Sequence, residues 1–157
     1  MWFDISVFIF TQIASVYTLY AICVALAVYA WWCGHSNAAV GLLVAAIACG
    51  VSVVGLKELF AVARPPNPLI VVDTYAFPSG HATGAAFLGL LVWGYAKYVF
   101  ARPLAGWVTG LVVMVVLAIG VSRLVFQVHT MTQVLVGYAL GVVWASLCIW
   151  WWRSNNR

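Results

Sequence analysis

Residues Ala38 to Val62 read AAVGLLVAAIACGVSVVGLKELFAV, and no charged side chain interrupts them before Lys57. An apolar stretch of about 18 residues or more is long enough to cross the ~30 Å hydrocarbon core of a bilayer as a helix. The run closes on Lys57-Glu58 and then on Arg64-Pro65-Pro66-Asn67-Pro68, whose prolines stop a helix and hold the following chain extended. Working outward, four further apolar stretches flank it: about Ile5 to Trp32, Ser79 to Phe100, Leu104 to Val121, and Thr130 to Trp152. The 157 residues are 66% hydrophobic and 6% charged, with mean hydropathy +1.09, whereas an ordinary soluble domain is about 25% charged. A soluble enzyme and a disordered tail are excluded. The expectation is an all-α integral membrane helical bundle of about five transmembrane helices, one membrane-embedded domain over residues 1–157.

The net charge of +4 and the pI near 9.0 do not point to nucleic acid, because the seven basic residues are dispersed over several loops and form no basic stripe. Cys23, Cys33, Cys49 and Cys148 contain no C-x-x-C pair, and three of them fall inside apolar runs as small hydrophobes. Neither a disulfide framework nor a metal site is expected, and no cofactor. Met1-Trp2-Phe3-Asp4 lacks the basic segment of a cleaved signal peptide, so the first apolar run is read as a retained span. Trp2, Trp31, Trp32, Trp107 and Trp150 to Trp152 fall near span ends, the level that amphipathic rings prefer. Gly80-x3-Gly84, Gly106-x3-Gly110 and Gly137-x3-Gly141 offer small residues at the spacing that lets helices approach closely.

Five spans place the loops after the second and fourth spans on one side, with Asp4, Lys57, Glu58, Arg64, Asp73 and Arg123. Lys97, Arg102, Arg153 and Arg157 lie on the other side, without an acid. The positive-inside rule makes the second side cytoplasmic. The N-terminus then faces out and the C-terminus in, which in a bacterial inner membrane puts the first side in the periplasm.

On that outer side gather Lys57, Arg64, Ser79, His81, Ser122, Arg123, His129 and Gln133, from four helix ends. Ionisable groups at membrane depth cost several kcal/mol unless paired or used. Lys57 and Arg64, seven apart, are expected on one face of the second span. Arg123 adds a planar fork suited to phosphoryl oxygens. Pro78-Ser79-Gly80-His81 stands where the third helix begins. Ser79 suits an N-cap, Gly80 permits close backbone approach, and the first free N–H groups form an anion site. His129 opens the fifth span with Gln133 one turn on, and a neutral imidazole there attacks phosphorus if its far nitrogen is held by an acceptor. Two histidines among three cations meet the needs of phosphoryl transfer: a nucleophile, an acid for the leaving oxygen, and donors for equatorial oxygens.

Lys57-x6-Arg64-Pro65, Pro78-Ser79-Gly80-His81 and Ser122-Arg123-x5-His129, in this order, resemble the tripartite signature of the type 2 phosphatidic acid phosphatases, membrane lipid phosphatases related to vanadium haloperoxidases. The resemblance covers residues 57 to 133. It implies that His129 is a nucleophile forming a phosphohistidine and that His81 protonates the departing alcohol or phosphate. It also implies that Lys57, Arg64, Arg123, the Ser79 hydroxyl and the Gly80 amide hold the phosphoryl group, and that no metal is needed. The family commonly has six spans, so this chain looks like a minimal version. The family usually places Asp four residues after the nucleophilic His, where this chain has Gln133. His129-Thr130-Met131-Thr132-Gln133 is similar instead to the last block of dolichyl diphosphatases, which tilts the expected substrate toward a polyprenyl diphosphate such as undecaprenyl diphosphate. Asp73 is a second candidate for activating His129. The alternatives are a phosphatidate or phosphatidylglycerol phosphate phosphatase, a lipid phosphotransferase using the same phosphohistidine, and a catalytically silent bundle that binds anionic lipid.

Overall fold

The computed structural model describes residues 16–99 and 102–155. Among them run five helices: α1 (Val16–Trp32), α2 (Ser36–Phe60), α3 (Gly80–Val99), α4 (Arg102–Val125) and α5 (Met131–Asn155), with no strand. The expected all-helical membrane bundle is the observed architecture. The start of the first span, with Trp2 and Asp4, lies outside the described residues, as does Arg157. By length and composition α2, α5 and residues 103–125 of α4 are each apolar enough to cross a bilayer. The described part of α1 is apolar but shorter, and α3 falls short of that hydropathy. The reason lies in packing, because α3 touches each of the other four helices, α5 most extensively. A central helix meets protein rather than lipid, so it tolerates His81, Thr83 and several glycines.

The middle of the bundle packs Cys23, Cys49 and Cys148 with Ala45, Ala46, Phe87, Leu88 and Ala145. These three cysteines are buried and free, as small hydrophobes are expected to be, whereas Cys33 is exposed. The outer faces carry large apolar side chains, Leu111, Met114 and Leu117 on α4 among them, that only lipid can cover. Trp31, Trp32, Trp107, Trp150 and Trp151 are exposed and gather at the end opposite the charged loops, which marks one membrane interface.

Of the three glycine pairs, one makes the close approach in both members. A Cβ on Gly137 would stand 2.6 Å from the Ser79 carbonyl oxygen, and one on Gly141 would collide with the Thr83 carbonyl. Gly106 and Gly110 face open space, and Gly84 meets the Leu19 side chain. The α3–α5 contact is therefore backbone against backbone, which sets α3 and its N-terminus at a fixed height beside the start of α5.

Helix ends are built by recognisable local chemistry. Gly34, at φ 83°, follows α1. The Gly34 N–H donates to Trp31 O and the His35 N–H to Ala30 O, the pair of bonds that closes a helix on a left-handed residue. The same motif closes α4 with Gln127 as the left-handed residue: Gln127 N–H donates to Leu124 O and Val128 N–H to Arg123 O. The Arg123 carbonyl also accepts the His129 N–H, so the spacing Arg123-x5-His129 is the length of this turn. Ala61, at φ 43°, ends α2.

Gly141→Ala is expected to lower stability by about 1–3 kcal/mol through overpacking against α3. Gly110→Ala should be neutral or stabilising by up to about 1 kcal/mol through helix propensity. Thermal unfolding in detergent separates them, and a Gly141→Ala protein as stable as the parent would contradict the backbone contact.

Candidate active site

The loop from Ala61 to Ser79 is long, yet backbone bonds and aromatic packing fix it in place. Ala76 is fully buried and its N–H donates to Val62 O at 2.8 Å, while the Phe77 ring meets Phe60 edge-on with centroids 5.0 Å apart. The Leu69 N–H donates to Phe126 O, tying the loop tip to the turn after α4. Three consecutive residues of this loop then face the charged groups with their carbonyls. Thr74 O accepts from Arg64 Nε at 2.9 Å, Tyr75 O accepts from Lys57 Nζ, and Ala76 O faces His129 Nδ1 at 2.8 Å.

His129 lies in the turn between α4 and α5, and only 5% of it is exposed. Its Nδ1 meets two oxygens, Ala76 O and, at 3.2 Å, Gln133 Oε1. Gln133 Oε1 also accepts the Thr130 N–H at 2.9 Å, which fixes the amide with its oxygen toward the ring. Two acceptors at Nδ1 put the proton there and leave the lone pair on Nε2, which faces Arg64 Nη1 at 3.4 Å. Gln133 does two things at once, because its own N–H donates to Thr130 Oγ1, completing a reciprocal cap at the start of α5. Burial, and next the Arg64 charge, push the His129 pKa down from 6.5 to about 4, against the opposing bonds to Gln133 and Ala76. The imidazole is neutral at neutral pH, the form a nucleophile needs.

Around it the cations are held on separate supports. Arg64 donates Nε to Thr74 O, Nη2 to Thr74 Oγ1 at 3.1 Å and Nη1 to Val128 O at 2.8 Å. Arg123, 2% exposed, donates Nε to Ser122 Oγ and lies over the Phe126 ring, 5.2 Å from its centroid. Its Nη2 is buried without a hydrogen-bond partner, and so is His81 Nε2. Ser79 caps α3, its Oγ accepting the Ala82 N–H at 3.5 Å, and its N–H donates to Gln133 O. Gly80 is the first residue of α3. His81 stands within electrostatic range of Arg123, His129, Arg64 and Lys57. Buried polar nitrogens left unpaired cost about 1–3 kcal/mol each. Anionic oxygens placed between Arg123, His81 and His129 would satisfy them.

A model of the PAP2 superfamily matches residues 38–157, well over half of the chain. The chain belongs to the PAP2 superfamily. As such it is a lipid phosphatase integral to a membrane. Its fold is similar to a crystal structure of the first transmembrane PAP2 type phosphatidylglycerolphosphate phosphatase from Bacillus subtilis. That match has TM-score 0.83 and 23% identity, over 99% of this chain and 79% of that one. It is also similar to the crystal structure of Aquifex aeolicus LpxE, at TM-score 0.67 and 19% identity, over 94% and 85% of the two chains.

This PAP2 chain brings together Lys57, Arg64, Ser79, Gly80, His81, Arg123, His129 and Gln133. Two local expectations are corrected. Lys57 and Arg64 do not share a helical face, because α2 ends at Phe60 and Ala61 turns left-handed before the prolines. What aligns them is the loop, through Thr74 and Tyr75. Asp73 does not hold His129, since the acceptors at Nδ1 are Ala76 O and Gln133 Oε1. Asp73 instead lines an open pocket of about 600 Å³ with Arg64, Glu58 and Thr74, outside the histidines. The residues that sequence reasoning missed, Thr74, Tyr75, Ala76 and Val128, act mainly through backbone carbonyls, which no residue type announces. Thr130-x-x-Gln133 did carry a readable signal, that of a capping box.

The unfolded chain protonates this imidazole near pH 6.5 and the folded chain only near 4. Between those values the unfolded state holds more protons, so folded stability falls as pH drops from 6.5 toward 4, and above 6.5 this group contributes no pH dependence. Nitrogen-15 NMR of His129 in detergent at about pH 5.5 should show a neutral ring protonated on Nδ1. A ring that titrates at the ordinary histidine value would contradict the site geometry.

Proposed function

We propose that the enzyme hydrolyses a phosphate or diphosphate from a membrane lipid through a phosphohistidine on His129. The observation that carries this reading is the placement of His129, whose Nδ1 faces the two acceptors Ala76 O and Gln133 Oε1 and whose Nε2 faces Arg64, with Arg123 and His81 close by. In the first step the Nε2 lone pair forms a bond to phosphorus while the bond to the leaving oxygen breaks, and His81 gives that oxygen its proton. The substrate's negative charge draws that proton onto His81 beforehand. Positive charge that develops on the ring is shared with the two acceptors at Nδ1. In the second step water attacks the phosphohistidine, His81 takes the water proton, and inorganic phosphate leaves with His129 restored. Arg64 and Arg123 offer N–H donors to equatorial oxygens, joined by Lys57, the Ser79 hydroxyl and the Gly80 amide.

The preferred substrate is a polyprenyl diphosphate, undecaprenyl diphosphate in a bacterial inner membrane. Its support is the His-Thr-x-x-Gln block, in which Gln133 supplies the acceptor that an acid supplies elsewhere. An apolar groove of about 300 Å³ between α3, α4 and α5 lies along the middle of these helices, at the depth where hydrocarbon belongs. The second reading, phosphatidylglycerol phosphate, is favoured by the fold similarity to the Bacillus subtilis phosphatase. The periplasmic placement of the site rests on the Lys and Arg of the opposite loops, with Arg153 at the far end of α5.

Phosphate release in detergent containing EDTA, from undecaprenyl diphosphate and from phosphatidylglycerol phosphate, tests the reading. Release is expected from both, faster from the polyprenyl lipid, and His129→Ala should reduce it by about a thousandfold or more. Activity that EDTA abolishes and Mg²⁺ restores, or that survives His129→Ala, would overturn the mechanism. Faster release from phosphatidylglycerol phosphate would overturn the substrate preference alone.

A further inference from the structure

We infer that Thr74 is a positioning residue that acts through Arg64, an inference that rests on His129 being the phosphoryl acceptor. Thr74 takes two of the four hydrogen-bond contacts made by the Arg64 guanidinium, Nε through its carbonyl and Nη2 through its hydroxyl. The third, from Nη1 to Val128 O, belongs to the turn that carries His129 itself. A planar guanidinium held at both donors of its Nε–Nη2 edge by one residue is fixed in its plane, so its Nη1 is kept toward His129 Nε2. That is where a phosphoryl oxygen must sit for Nε2 to reach phosphorus, and an N–H already aimed there needs no reorganisation as charge develops. Without the hydroxyl Nη2 loses its partner, and the guanidinium plane is held only by the main-chain acceptors Thr74 O and Val128 O.

Thr74 itself is held independently of the arginine. It lies two residues before the fully buried Ala76, whose N–H is tied to Val62 O. Its hydroxyl stands on the open side of the loop, beside the pocket lined by Glu58 and Asp73. The position is therefore not packed in a core, and loss of the hydroxyl changes the orientation of Arg64 rather than the fold.

Thr74→Val removes the hydroxyl, and Thr74→Ser restores it without the methyl group. Thr74→Ala is the second hydroxyl-free variant, in case the branched apolar side chain disturbs the loop. Wild type, the three variants, Arg64→Ala and the Arg64→Ala/Thr74→Val pair are compared in detergent, with phosphate release as readout and with inorganic phosphate and orthovanadate as inhibitors. Orthovanadate adopts the five-coordinate geometry of phosphoryl transfer, whereas phosphate is a ground-state ligand. Thr74→Val and Thr74→Ala should lower kcat by about tenfold with a smaller change in KM, and weaken orthovanadate more than phosphate. Thr74→Ser should recover most of both, and Thr74→Val should cost nothing further in the Arg64→Ala background. Wild-type kinetics in both hydroxyl-free variants would overturn the inference. So would a Thr74→Ser protein as impaired as Thr74→Val, or an undiminished Thr74→Val effect without Arg64. A wild type inert toward every lipid phosphate overturns the phosphatase reading instead, which separates the two failures.

Discussion

Three successive carbonyls, those of Thr74, Tyr75 and Ala76, orient Arg64, Lys57 and His129, and the chemistry of the protein depends on that alignment. Backbone acceptors suit the task. They are neutral, so they direct the cations without cancelling the charge an anionic substrate meets, and their geometry is fixed by the chain rather than by a rotamer. The segment is in turn fixed by the burial of Ala76, by its bond to Val62 O and by the Phe60–Phe77 contact. A carboxylate at the same place would hold the cations more tightly and leave less of their field for the ligand. Glu58 and Asp73, the acids among the described residues, stand instead around the outer pocket.

The bundle supplies the other half of the alignment. Close contact of Gly137 and Gly141 with the α3 backbone places Ser79 against Gln133, joined by the Ser79 N–H to Gln133 O bond. The left-handed turn at Gln127 brings His129 back beneath Arg123, whose carbonyl receives its N–H. Each of these contacts sets a height along the bundle axis. The helix N-terminus of α3, the imidazole and the two guanidinium groups thereby meet at one level near the membrane surface. Arg123 Nη2 and His81 Nε2 are buried without a hydrogen-bond partner at that level, a cost that anionic oxygens placed between them would remove.

Much of this was legible in the sequence, because apolar length and proline placement are dictated by lipid and by backbone sterics. The five helices fall where the apolar runs lie, and Lys57, Arg64, Ser79, His81, Arg123, His129 and Gln133 meet at one end. Ser79 caps α3 as its type and place demand. The failures share a cause. Lys57 and Arg64 were placed on one helical face because periodicity assumes that a helix continues, and nothing in Phe60-Ala61-Val62 marks the left-handed residue that ends it. Asp73 attracted attention as a carboxylate near a histidine, whereas the acceptors are a main-chain oxygen and an amide. Side-chain identity is what a sequence displays, and the decisive groups of the loop are main-chain atoms.

With the Nδ1 proton held by Ala76 O and Gln133 Oε1, the proposed chemistry falls to Nε2 of His129. The most direct test is to quench turnover of a radiolabelled lipid phosphate in alkali, where phosphohistidine survives, and to identify the phosphorylated nitrogen by NMR and mass spectrometry. A single adduct is expected, on Nε2 of His129. An adduct on Nδ1, or on another residue, would contradict it.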